Sequence, residues 1–93
     1  MQNSGTKQTL PGRIKGRVLD GDRKPLIGAS INIEGTTLGA TADLNGDFII
    51  NVSPGKYTVG ISFIGYKKKM LKNVIVENGK VTDIGDIKMY DER

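Results

Sequence analysis

Between Gly12 and Met89 the chain is a succession of short runs in which apolar and polar residues alternate, each closed by glycine, proline, asparagine or aspartate. Residues 13–19 place Ile14, Gly16 and Val18 on one face and Arg13, Lys15 and Arg17 on the other. Residues 29–33 turn Ala29, Ile31 and Ile33 inward, while residues 38–42 have little to bury and predict an edge strand. Residues 47–52 direct Phe48, Ile50 and Val52 to a core. Residues 56–63 do the same with Tyr57, Val59, Ile61 and Phe63, the strongest alternation in the chain, which predicts a central strand. Residues 67–76 contribute Val74 and Val76. In residues 81–89, Val81 and Ile87 share a face but Ile84 falls out of phase, so a bulge is expected at Gly85.

The breaks between runs have turn chemistry. Asp20 to Pro25 and Ser53-Pro54-Gly55 read as turns, and Ile64-Gly65-Tyr66 reads as a bend. Asn45-Gly46 and Asn78-Gly79 are the dipeptides that best tolerate positive φ, so each predicts a hairpin joining the runs on either side. Seven short runs at this spacing, with no helical period, predict an all-β antiparallel sandwich.

Size and composition narrow the picture without naming a reaction. Ninety-three residues accommodate one domain, and 37% hydrophobic with 26% charged residues suits a folded chain. Residues 1–11 read as a disordered lead, 12–89 as the sandwich and 90–93 as the start of a linker. No apolar stretch approaches the roughly 18 residues that a membrane helix needs. The formal charge of +4 raises the question of nucleic acid, yet the lysines and arginines are spread along the chain and only Lys67, Lys68 and Lys69 form a block. Phe48, Tyr57 and Phe63 fall on inward faces, whereas a single-strand binder presents its aromatics outward for stacking. No nucleic-acid partner is expected.

With no histidine and no cysteine, the usual general base, thiolate nucleophile and zinc ligands are missing. The carboxylate pairs Asp20/Asp22 and Asp43/Asp47 lie in turns, where aspartate is favoured for backbone reasons. Asp43, Asn45 and Asp47 alternate as in a calcium loop, but Gly46 is fourth rather than sixth and Pro54 stands where the twelfth-position Glu belongs. No catalytic, cofactor-binding or metal-binding residue is assigned. The interaction candidates are Lys67, Lys68 and Lys69, read either as an anion- or membrane-facing patch or as a solvated strand start, and Tyr66, read either as exposed or as a corner anchor.

Gly16-Arg17-Val18-Leu19-Asp20, Pro25-Leu26-Ile27-Gly28-Ala29, Gly35-Thr36-Thr37-Leu38-Gly39, Asp43-Leu44-Asn45-Gly46-Asp47-Phe48, Pro54-Gly55-Lys56-Tyr57 and Ile64-Gly65-Tyr66, in that order, resemble the carboxypeptidase-regulatory-like domain family over residues 12–89. Ala42 departs from the threonine often found there. The resemblance implies a transthyretin-like, seven-stranded sandwich with Greek-key connections and an accessory role without catalytic residues or cofactor. The Gly-Thr-Thr-x-Gly stretch and the Gly-Tyr-Lys corner are most similar to the version at the N-terminus of TonB-dependent outer-membrane transporters. That version implies a periplasmic module whose partners are another protein or the plug and barrel of its own chain, with no membrane insertion of its own and an unknown small-molecule ligand. The alternative is a carbohydrate- or surface-binding sandwich of a secreted or cell-surface protein, for which Tyr66 and Tyr90 are the available aromatics. An adhesin-type isopeptide bond is not expected, since Ile61 occupies the place of the required Glu.

Overall fold

A computed structural model describes residues 9–91, so the predicted lead lies mostly outside the described residues. Seven strands make up the fold: β1 (Gly12–Leu19), β2 (Ser30–Ile33), β3 (Gly39–Thr41), β4 (Asp47–Val52), β5 (Gly55–Ser62), β6 (Lys69–Val76) and β7 (Val81–Lys88). They form two stacked sheets, β4-β1-β7 and β3-β2-β5-β6. As the alternation predicts, β3 lies at an edge and β5 is flanked on both sides, by β2 and β6.

Two predicted hairpins are corrected. β3 and β4 belong to different sheets, as do β6 and β7, so Asn45-Gly46 and Asn78-Gly79 carry the chain from one layer to the other. The turn chemistry is real but local. The Asp43 carboxylate accepts the Asn45 and Asp47 amides, each at 2.9 Å, and the Asp43 amide donates to the Asp47 carbonyl. Before this turn Ala42 is hydrogen-bonded to Ala29 beside β2, and after it the Gly46 carbonyl accepts from Val18 of β1. Turn geometry reverses the chain without specifying the layer it returns to. Switching layers also makes β1 and β7 a parallel pair, while the other pairings are antiparallel.

The inward faces meet in one apolar core. Ile14, Val18, Ala29, Ile31, Ile33, Val59 and Ile61 are at most 1% exposed, and no polar or charged side chain is buried among the described residues. Each of these isoleucine and valine side chains contributes about 1.5–3 kcal/mol by leaving water. Gly16 faces this core for a steric reason: a Cβ there would sit 3.0 Å from the Phe48 ring and 2.9 Å from Ile84, so the missing side chain makes room for the aromatic.

Two bulges reset the strand phase. Gly85, at φ +75°, marks the expected one, and the β1–β7 register shifts between Lys15 and Arg17. The face assignment in β7 needs correction, because Val81 is 53% exposed whereas Ile84 packs against the core. The second bulge, in β6, has no glycine to announce it: Asn73 takes φ +61° and the register with β5 shifts, which brings Leu71 inward alongside Val74 and Val76. Asparagine is among the few side chains that tolerate this backbone region.

Candidate functional site

The β1–β2 loop, the β3–β4 turn, the β5–β6 bend and the segment after β7 all emerge at one end of the sandwich, fixed by the antiparallel pairing of β1 with β4 and β5 with β6 and the parallel run of β7. Two depressions open there. One, about 450 Å³, is lined by Asp20, Asp22, Tyr66, Tyr90 and Asp91. The other, about 180 Å³, is lined by Lys67, Lys68, Lys69, Lys88 and Tyr90. An acidic and a basic hollow thus share Tyr90 and Met89 as lining residues.

Tyr66 is a half-buried anchor. Its ring meets Phe63 edge-on, centroids 5.7 Å apart at 68°, and both rings pack against the core. Burial, and secondarily the charges of Asp91, Asp20 and Asp22, push its phenol above the ordinary pKa. It therefore remains a neutral donor throughout the physiological range.

The lysine block divides. The Lys69 ammonium donates to the Lys88 carbonyl at 3.1 Å and lies 5.9 Å from the centre of the Tyr90 ring. Lys67 uses its backbone, donating its amide to the Tyr90 carbonyl at 2.9 Å, while its side chain and that of Lys68 are exposed. Together with the Met89 amide bonded to the Leu19 carbonyl, these contacts strap residues 88–91 to the loop end. Sequence reading assigned 90–93 to a linker and gave no sign of this grip, because two of its hydrogen bonds run from backbone to backbone and carry no side-chain signature.

Exposed apolar residues were the other feature missed. Ile27, Leu44 and Ile64, from three different loops of this end, are 54%, 77% and 90% exposed. Each alone is ordinary, and all three lie in loops of the same end of the sandwich.

The acidic pairs are otherwise engaged. Asp20 accepts from the Asp22 and Lys24 amides at 2.8 and 2.9 Å, closing its own turn as Asp43 does. Asp47 is bonded by Arg17 Nε at 2.8 Å, and this bond holds its carboxyl below the usual range. Lys15–Asp83 and Arg23–Asp86 add longer pairs on the same outer face. Among the described residues no three His, Cys, Asp or Glu side chains are grouped to hold a metal.

A family model for the CarboxypepD_reg-like domain matches residues 14–91. The chain belongs to this family. The domain is 35% identical over 79 residues to the TonB-dependent receptor SusC of Bacteroides thetaiotaomicron, a match covering 85% of this chain and 8% of the receptor. The domain thus spans less than a tenth of that relative. Among solved structures it is similar to a chain of a type II cohesin-X-dockerin complex from Acetivibrio cellulolyticus, with TM-score 0.75, 27% identity and coverage of 86% of this chain and 58% of that one. It also shares its fold with part of the Bacillus anthracis TIE protein, with TM-score 0.66, 20% identity and coverage of 88% and 17%.

Proposed function

We propose that this domain is a non-catalytic module on the periplasmic side of a TonB-dependent outer-membrane transporter, acting through protein contacts made at its loop end. The observation that carries the reading is the 35% identity to a TonB-dependent receptor across 85% of the chain. The site chemistry agrees with it. Every carboxylate pair considered for catalysis has a structural employment, and the loop end offers exposed lysines beside exposed aliphatic side chains, a composition suited to a protein surface. Phe48, Tyr57 and Phe63 pack with the core, which removes the stacking platform a nucleic-acid binder needs. The similarity to a chain of a cohesin-X-dockerin assembly supports use of this fold in protein association. The carbohydrate alternative is weaker: Tyr66 is turned edge-on to Phe63, leaving Tyr90, 57% exposed, as the aromatic at this end that could face a sugar.

The test is deletion of residues 12–91 from the full-length parent protein. Uptake of its nutrient is expected to fall while the barrel still assembles in the outer membrane. Unchanged uptake would defeat the reading.

A further inference from the structure

We propose that β4 is an open pairing edge through which two copies of this domain join strand to strand. Among the described residues the sandwich has four edge strands, β4 and β7 in one sheet and β3 and β6 in the other. An unpaired strand edge is a template for another strand unless the chain blocks it.

Three of these edges are blocked or short. β6 is kinked at Asn73, carries Lys69 and Lys72, and has its Ile75 carbonyl taken by the Thr82 hydroxyl at 2.7 Å. β7 is bulged at Gly85, whose amide is met by Asp83, and its Lys88 carbonyl is taken by Lys69. β3 has only three residues.

β4 differs from all of them. It is six residues long, pairs with β1 in unbroken register, and contains no lysine, arginine or proline. The Val18–Gly46 hydrogen bond sets the alternation, so Phe48, Ile50 and Val52 bond to β1 while the backbone groups of Asp47, Ile49 and Asn51 point outward. Those of Asp47 are consumed by the Asp43 turn, and beyond β4 the Ser53 carbonyl is taken by the Tyr57 hydroxyl. The open window is Ile49 and Asn51.

A second copy fits that window. Antiparallel pairing about a two-fold axis at Ile50 sets Ile49 opposite Asn51 of the other copy and Asn51 opposite its Ile49, forming four backbone hydrogen bonds. Asp47 then faces Ser53 rather than another Asp47, so no like charges are opposed. Ile49, 58% exposed on the outer face, gains cover from the neighbouring strand. The contact is small, so association is weak and concentration-dependent. This inference does not depend on the transporter reading.

Sedimentation of the 93-residue chain up to roughly 1 mM, the range of weak encounters, provides the test. The average mass should rise from 10.1 kDa toward twice that value, with amide exchange at Ile49 and Asn51 slowing as concentration increases. Ile49→Lys and Asn51→Pro should each abolish the rise with the circular dichroism unchanged, whereas Ile75→Lys on β6 should leave it intact. A monomer throughout, or association that survives both β4 substitutions, overturns the proposal.

Discussion

The middle of the sandwich and its loop end are built on different principles. The middle is held by aliphatic side chains whose contribution is non-directional and scales with the area buried, and it contains no buried polar side chain. The loop end is held by directed bonds: carboxylates closing turns, the isolated β-bridge of Tyr66 with Asp91, and backbone amides gripping residues 88–91. The first arrangement fixes the fold, and the second leaves apolar and basic side chains on display. What stabilises the fold and what the loop end displays are therefore separable in this molecule, and substitutions can distinguish them.

The largest expected effect lies in the middle. Ile61→Ala, at a side chain with no exposure, should cost about 2–5 kcal/mol in urea denaturation, whereas Ile64→Ala, at 90% exposure, should stay within about 0.5 kcal/mol. Equal costs would erase the contrast. Gly46→Ala comes next. At φ +80°, with a Cβ 2.5 Å from the Val18 carbonyl oxygen, it should cost about 3 kcal/mol, while Gly65→Ala, at φ +84° in open space, should cost about 1 kcal/mol. A smaller, local effect is expected from Lys69→Met, which removes the ammonium's bond to the Lys88 carbonyl and its contact with the Tyr90 ring. Exchange of the Lys67 amide should quicken while that of Ile61 is unchanged, and a global change in both would mean that the end and the middle are one unit.

The smallest effect is electrostatic. The Asp47 carboxyl is held low chiefly by its hydrogen bond from Arg17, so the stabilisation is present above the ordinary carboxylate pKa of about 3.9 and is lost as pH falls through the depressed value. The melting temperature of the unmodified chain should exceed that of Asp47→Asn at neutral pH, and the two should converge in acid. A constant gap across that window would contradict the pairing.

The same division governs what could be read from the residues. Period-two alternation is a side-chain signal, and it located every strand, the central place of β5, the edge position of β3 and the bulge at Gly85. It gave no access to the layer reached after each turn. Asn45-Gly46 and Asn78-Gly79 reverse the chain equally well within or between sheets, so both hairpin predictions failed and the parallel β1–β7 pair went unforeseen. Asn73 escaped notice because its bulge depends on a backbone conformation that its residue type permits but does not announce. At the loop end, Tyr66 and the lysine block were visible from composition. Their grip on Lys88, Tyr90 and Asp91 depends on contacts between segments far apart in sequence, beyond the reach of local pattern.

Site-specific photo-crosslinking in the full-length parent protein tests the central claim most directly. A photoreactive residue at position 67 or 68 should form adducts with the plug, barrel or a periplasmic protein, while one at Lys56, near the opposite end of the sandwich, should form few. Adducts from position 56 matching those from 67 and 68, or none from the loop end, would contradict the account.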